Sequence, residues 1–142
     1  MKPKSNVLLG FPNAQTSADV GRCLQALDLV VEYHMNCMAI IMRIFFPRVG
    51  QVSPSLVVID SILPWLQGDP HLCKIDSIEG RLEVVKRIRL RRPAIKIILV
   101  ANRFEDKYGL LKTYGSSDSN FFLLGPAPAT RDFFDLVSTI LR

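Results

Sequence analysis

The sequence predicts an α/β domain built on an open, doubly wound parallel sheet, and three observations carry that prediction. Short aliphatic runs alternate with amphipathic segments five times along the chain, as expected of repeated β–α units. One run, residues 55–60, is apolar at consecutive positions, as in a central parallel strand covered by helices on both faces. The 142 residues are 49% hydrophobic, which is enough for one domain with a sizeable core.

Each strand is predicted from a short run of β-branched and aliphatic residues bounded by turn residues. The first run ends at Pro12, and the loop before the third contains Gly50 and Pro54. The predicted strands are residues 6–11, 29–33, 55–60, 95–101 and 120–125.

The helices are predicted from apolar residues at helical spacing and from capping residues at their ends. Thr16 or Ser17 is expected to cap the first helix, with Asp19 in its first turn. Asn36 is expected to cap the second, which Pro47 stops. The helices predicted after the first are residues 37–46, 80–92 and 103–113, and one capped by Thr130.

The net charge of +5 is concentrated in residues 81–93, where the basic residues lie mostly outside an apolar stripe that includes Val85 and Ile88. This segment is either a solvated helix face or a surface for phosphate backbones. It lacks interleaved aromatic residues and a helix-turn-helix spacing, which favours the solvated face and makes nucleic acid the less favoured partner.

Several classes of protein are excluded by motif and composition. Cys23, Cys37 and Cys73 are odd in number and far apart, so they predict neither a disulfide framework nor a zinc site. The longest apolar stretch, residues 37–46, is too short to cross a bilayer, and no signal peptide opens the chain. His34 has no catalytic partner at a suggestive spacing. These observations predict a soluble, intracellular protein.

Asp60 is the first candidate for a functional residue, because it closes the third strand at the carboxyl edge of the predicted sheet. Ligands of doubly wound sheets bind at that edge, near the point where the strand order reverses. Asp60 is either a phospho-acceptor or a polar strand-end residue that binds loop amides or a nearby cation, and the second interpretation is favoured.

Asp60, Leu63 and Pro64 match a pattern of aspartate, two variable residues, an aliphatic residue and proline. With the register of residues 79–101 and 114–137, the chain resembles the receiver domain of bacterial response regulators over nearly its whole length. The resemblance implies a single receiver-like domain over residues 1–142, with the flavodoxin/CheY-like strand order 2-1-3-4-5 and helices on both faces. The chain would be either a whole protein or the amino-terminal part of a longer signalling protein.

The same resemblance implies an acidic pair after the first strand that holds Mg²⁺ beside the aspartate. Those positions are Gly10 and Phe11 here, and residues 3–18 contain no Asp or Glu. Asn13 is the only oxygen donor nearby that is suited to a metal.

Two further positions of the family's site also differ. Receivers place a Ser or Thr at the end of the fourth strand, where this chain has Ala101, and a lysine before a proline after the fifth, where it has Gly125. Each missing donor or cation costs roughly 100-fold in rate, so a pseudo-receiver with almost no phosphotransfer is predicted. No cofactor is expected, and Mg²⁺ only if Asp60 is phosphorylated.

Residues 65–79 resemble an insertion that lies over the former receiver site. Asp69, His71 and Asp76 within it either replace the missing ligands or are only solvated, and solvation is favoured. Trp65 is either an anchor for a partner or a cover for the uncharged pocket, and both interpretations stay open.

The resemblance also implies a partner or dimer surface on the fourth helix, the fifth strand and the last helix. Phe122 falls where receivers place an aromatic residue that reports the state of the switch, although core packing is its favoured role. The candidate interaction residues on this surface are Tyr108, Tyr114, Phe122, Arg131 and Asp135.

We therefore expect a cytoplasmic, non-enzymatic signalling module that acts through protein–protein contact with a kinase, an output domain or a second copy of itself. One alternative is a phosphorylatable receiver that uses Asp60 and binds metal through the inserted loop. The other is a basic nucleic-acid-binding accessory domain that uses residues 81–92.

Overall fold

A five-stranded sheet and four helices make up the described part of the chain in the computed structural model. The structure describes residues 5–61, 63–64, 78–100, 120–124 and 131–141, without the side chains of 78–83 and 132. The strands are β1 (Asn6–Gly10), β2 (Val30–His34), β3 (Leu56–Asp60), β4 (Lys96–Val100) and β5 (Phe121–Leu124). The helices are α1 (Ala14–Gln25), α2 (Cys37–Phe45), α3 (Ile78–Arg91) and α4 (Arg131–Ile140). The helix predicted over 103–113 lies outside the described residues, so α4 is the predicted last helix.

The strands pair in the order β2-β1-β3-β4-β5 and all neighbours are parallel, so the predicted doubly wound sheet is confirmed. The order reverses between β1 and β3, which opens a crevice at their carboxyl ends. In the register of the sheet, Gly10 lies opposite Ile59, and Asp60 lies opposite Val100.

Two apolar layers cover the two faces of the sheet, as the consecutive apolar residues of β3 predicted. Val57 and Ile59 pack in the layer shared with α2 and α3, whereas Leu56 and Val58 pack in the layer shared with α1 and α4. All four side chains are fully buried. Burying a side chain of this size stabilises a fold by about 1.5–3 kcal/mol, so β3 fixes the centre of the domain.

The first helix begins earlier than predicted. Its N-cap is Asn13, whose side-chain oxygen accepts hydrogen bonds from the backbone N–H groups of Gln15 and Thr16 at 2.9 and 3.0 Å. The predicted caps Thr16 and Ser17 are therefore inside α1. Asn13 takes the role because the chain leaves β1 after Gly10 and Asn13 is the first capping residue that follows.

The second helix begins as predicted. The side chain of Asn36 accepts the N–H of Ala39 at 2.8 Å, and the helix extends to Phe45, just before Pro47. Cys37 is buried and Cys23 half-buried, and both are thiols rather than halves of a disulfide, whereas Cys73 is outside the described residues. Among the helices described, none has the length and apolar character that a bilayer crossing requires.

Candidate functional site: the carboxyl edge of the sheet

Asp60 lies at the crevice, between the ends of β1 and β4, as the sequence predicted. Asp60 is only 5% exposed to solvent. The backbone around it is held by two hydrogen bonds: the N–H of Ser61 donates to the carbonyl of Val100 at 2.8 Å, and the N–H of Leu63 donates to the carbonyl of Asp60 at 3.0 Å. Asp60 is thus a buried strand-end carboxylate in a tight turn.

The β1 position beside Asp60 is crowded by apolar side chains. A Cβ atom built on Gly10 would lie 2.7 Å from Ile40 Cδ1 and 2.7 Å from Leu63 Cδ2. Real Cβ atoms do not approach other atoms so closely, so any side chain at position 10 requires both neighbours to move. The space that an acidic residue would need is filled by hydrocarbon.

The next position, Phe11, belongs to the core. Its side chain is fully buried in the layer between the sheet and α1 and α4, together with Val20, Leu24 and Phe133. Asn13, the remaining oxygen donor of this segment, is occupied as the cap of α1. The segment after β1 therefore presents packing and capping groups to its surroundings rather than carboxylates.

The turn after Asp60 is tied to the amino-terminal end of α2. The carbonyl of Pro64 accepts the N–H of Cys37 at 2.9 Å, and the Cys37 thiol lies 3.7 Å from the carbonyl of Leu63. Leu63 itself is fully buried. Asp60, Leu63 and Pro64 are the residues that match the receiver pattern in the sequence. They thus lie together between the end of β3 and the amino-terminal end of α2.

Several predicted site residues cannot be placed, because they lie outside the described residues. Among the residues that are described, no group of three or more His, Cys, Asp or Glu could hold a metal ion. The unplaced predictions are Ala101 and Gly125, the surface candidates Trp65, Tyr108 and Tyr114, and the loop residues Asp69, His71 and Asp76.

The predicted interaction residues on β5 and α4 divide into two kinds. Phe122 is half-buried and packs against the layer of α1 and α4, in agreement with a role in the core. Arg131 and Asp135 are exposed on α4. The two charged residues are therefore accessible to a partner.

The basic helix α3 has the amphipathic arrangement that the sequence predicted. Val84, Val85 and Ile88 are buried, whereas the cations of its described half are exposed or half-buried. Two cations stack on aromatic rings of the same domain: Arg89 lies over Phe121 at 5.3 Å and Arg92 lies over Phe45 at 5.4 Å. Nucleic-acid binding by this helix stays the less favoured alternative to a solvated face.

The sequence did not indicate a charged cluster that lies on the side of β2 towards α2. The buried Arg43 guanidinium donates to both carboxylate oxygens of Glu32 at 3.0 to 3.2 Å and to the carbonyl of Val52 at 2.7 Å. His34 follows Glu32 by two residues on the same strand face, and its buried Nε2 atom, like Arg43 Nη1, makes no hydrogen bond. His34, for which the sequence showed no partner at a suggestive spacing, thus lies beside a partly buried ion pair.

Burial lowers the pKa of the His34 imidazole below its ordinary value of 6.5, the Glu32 carboxylate opposes this effect, and the Arg43 guanidinium adds to it. Because the unfolded chain then binds a proton more readily than the folded one, the stability contributed by His34 is present above pH 6.5 and is lost below it.

We expect the melting temperature of the natural chain to fall as the pH drops from about 7 to about 5. The melting temperature of the variant His34→Gln should fall less over the same range, because it lacks this titrating group. Thermal unfolding monitored by circular dichroism at several pH values measures both melting temperatures. An equal fall of the melting temperature in both proteins would assign the titration to another group.

Solved receiver domains of response regulators share this fold over nearly the whole chain. The BeF₃-activated receiver domain of DrrB matches with a TM-score of 0.67 at 16% identity, covering 98% of this chain and 98% of that one. TrrA from Thermotoga maritima, solved with Mg²⁺-BeF, matches with a TM-score of 0.69 at 15% identity, covering 96% and 98%. A CheY-like receiver domain protein from Methanospirillum hungatei matches with a TM-score of 0.67 at 16% identity, covering 98% and 94%.

These likenesses establish the CheY-like, flavodoxin-type fold for this chain. No protein-family model and no curated protein sequence matches it.

Proposed function

We propose that the chain is an atypical receiver-like signalling module of the cytoplasm that acts through protein–protein contact, with its phosphorylation site lost. The observation that carries this proposal is the apolar packing beside Asp60. Phe11 is fully buried in the core and Gly10 leaves no room beneath Ile40 and Leu63. The receiver fold is retained, whereas the β1 side of the crevice beside Asp60 is lined by apolar side chains in the described part of the chain.

The chemistry of phosphoryl transfer explains why this packing matters. A phosphoryl dianion that approaches a carboxylate needs a cation between the two negative groups, and Mg²⁺ in such sites takes one or two carboxylates together with waters. The described residues do not fit such an ion: Asp60 has no second carboxylate from β1 beside it, and Asn13 serves α1. Under this proposal, the module catalyses no reaction of its own.

A partner protein would then bind the surface of the module. Receivers commonly use their last helix for this purpose, and here Arg131 and Asp135 are exposed on α4. An opposite pair of charges on a partner would bind both residues. A sensor kinase, an output domain or a second copy of the chain are the classes of partner that the fold suggests.

One alternative has an observation in its favour. Asp60 occupies the carboxyl end of β3 at the reversal point of the strand order, where a phospho-acceptor belongs. On this alternative, loop residues such as Asp69, His71 or Asp76 supply the metal ligands in place of the missing acidic pair.

Beryllofluoride, which imitates an aspartyl phosphate, separates the two functions. We expect the amide NMR spectrum to be unchanged by Mg²⁺ and by Mg²⁺ with beryllofluoride, because nothing on β1 holds the cation. The reporters are the amide of Ser61, whose N–H donates to the carbonyl of Val100 beside Asp60, and the amides of β5.

The variant Asp60→Asn is the matched control, since it keeps the shape of the residue and removes the acceptor. Shifts at Ser61 and β5 that occur in the natural chain and vanish in Asp60→Asn would establish the phosphorylatable receiver and refute our proposal. Shifts that persist in Asp60→Asn would report binding of the ions elsewhere.

A further inference from the structure

The outer face of α2 is apolar and uncovered. Met42 is 49% exposed and Phe46, one turn further, is 68% exposed. We use the name "α2 face" for the exposed apolar side chains of this helix and its flanks: Met35, Met42, Phe46, Val49 and Val52. A surface helix normally carries charged residues on its solvent side, so an uncharged outer side indicates a missing partner.

The one charged residue of α2 is directed inwards. Arg43 is only 7% exposed, and its guanidinium is held by Glu32 and by the backbone carbonyl of Val52. This arrangement removes a cation from the helix surface and at the same time fixes Val52 beside the helix. The ion pair thereby keeps the Arg43 cation off the outer side of α2 and holds the backbone of Val52 near the helix.

We propose that the α2 face is the contact between two copies of this chain in a reversible homodimer. The outer side of α2 itself carries no charge, so two copies can pair about a two-fold axis centred on Met42, with the exposed Arg48, which lies between Phe46 and Val49 in the chain, away from the centre of the contact. A strongly charged partner would gain nothing from the α2 face. Among the other described residues, the remaining large exposed apolar side chain on a helix is Leu90, which lies between cations of α3 and could not form such a pair.

The size of the face sets the strength of the dimer. At roughly 200 Å² for a large side chain, the fractional exposures give an α2 face on the order of 600 Å². Stable complexes bury about 800 Å² on each partner, so the proposed dimer is at the weak end and depends on concentration. This dimer surface is separate from α4, and it does not depend on whether Asp60 is phosphorylated.

One substitution at the centre of the face tests the proposal. Met42→Glu places a carboxylate in the contact and should weaken dimerisation at least about tenfold, because the charge would be buried against apolar groups. Leu90→Glu is the matched control: it makes the same kind of change at a residue that is 81% exposed on α3, and it should leave the dimer intact. Sedimentation equilibrium over a wide range of protein concentration measures both, and circular dichroism verifies that both variants fold.

The methionine methyl groups report which face is used. Met35, Met38 and Met42 account for three of the four methionines in the chain, so their ¹³C-methyl NMR signals mark this helix. We expect these signals to shift with concentration in the natural chain and in Leu90→Glu. In Met42→Glu we expect the Met35 and Met38 signals to shift only at roughly tenfold higher concentration or above, in line with the weaker dimer.

Two results would overturn the inference. A monomer at every concentration would show that no second copy covers the α2 face, while the proposed action through α4 would be untouched. A dimer that persists in Met42→Glu would place the contact on α4 if the amide NMR signals of Arg131 and Asp135 shift with concentration and the methionine methyl signals do not. The failure of this inference is therefore distinguishable from the failure of the proposed function.

Discussion

Replacing Phe11 by aspartate is expected to destabilise the domain by about 3–5 kcal/mol or more, although it restores a residue type that receivers have at this position. Removing a large buried aromatic side chain from a core costs this much by itself, and burying a carboxylate in its place adds to the cost. Phe11 is fully buried among Val20, Leu24 and Phe133. Urea unfolding, extrapolated to water, measures the loss.

The conservative variant Phe11→Leu provides the comparison. It keeps an apolar side chain and should cost only roughly 1–2 kcal/mol, in line with the smaller cavity that it leaves. The difference between the two variants combines the charge and polarity of aspartate with its smaller volume, whereas Phe11→Leu alone reports the cost of a modest loss of volume. An aspartate variant of natural stability that also binds Mg²⁺ would mean that position 11 can open to solvent, and our proposal of a lost site would be wrong.

The fold was predictable because its strongest determinant is local. Four consecutive apolar residues ending at Asp60 already indicate a strand buried on both faces, and the structure buries all of them. The position of Asp60 at the reversal point then follows from the strand order. The identity of the residues beside it, Gly10 and Phe11, could be read from the sequence through the family resemblance.

The packing of those residues could not be read in the same way. Whether position 10 is an open pocket or a filled one depends on Ile40 and Leu63, which come from different parts of the chain. The cap of α1 was misplaced for a related reason. Asn13, Thr16 and Ser17 are all capping residues, and only the point where the chain leaves β1 decides among them.

The ionic cluster on β2 was missed because its partners are nine and eleven residues apart and belong to different elements. In the sequence, Arg43 only interrupts an apolar stretch, and nothing in the pattern says that it faces inwards. A possible signal was the spacing of Glu32 and His34, since residues two apart share one face of a strand. The exposure of the α2 face follows from the same inward turn of Arg43.

The variant Glu32→Gln is expected to destabilise the domain by about 3 kcal/mol, because it leaves the buried Arg43 guanidinium without its counter-charge. The side chain of Arg43 is 5% exposed and that of Glu32 is 29% exposed. Water can therefore hydrate an unpaired Glu32 carboxylate but hardly an unpaired Arg43 guanidinium. This asymmetry gives a second expectation. Arg43→Met should cost less than Glu32→Gln, since the remaining carboxylate can be hydrated while methionine suits the apolar helix.

The double variant Arg43→Met with Glu32→Gln completes the test, because it removes both charges. It should be more stable than Glu32→Gln alone, which would show that the cost lies in the unpaired guanidinium and not in the lost hydrogen bonds. The control is Asp19→Asn, which breaks the exposed pair with Arg22 on α1 and should cost less than about 1 kcal/mol. Equal small losses for Asp19→Asn and Glu32→Gln in urea unfolding would mean that water screens the Arg43 pair as well. In that case the ion pair could not be what holds the Arg43 guanidinium away from the outer side of α2.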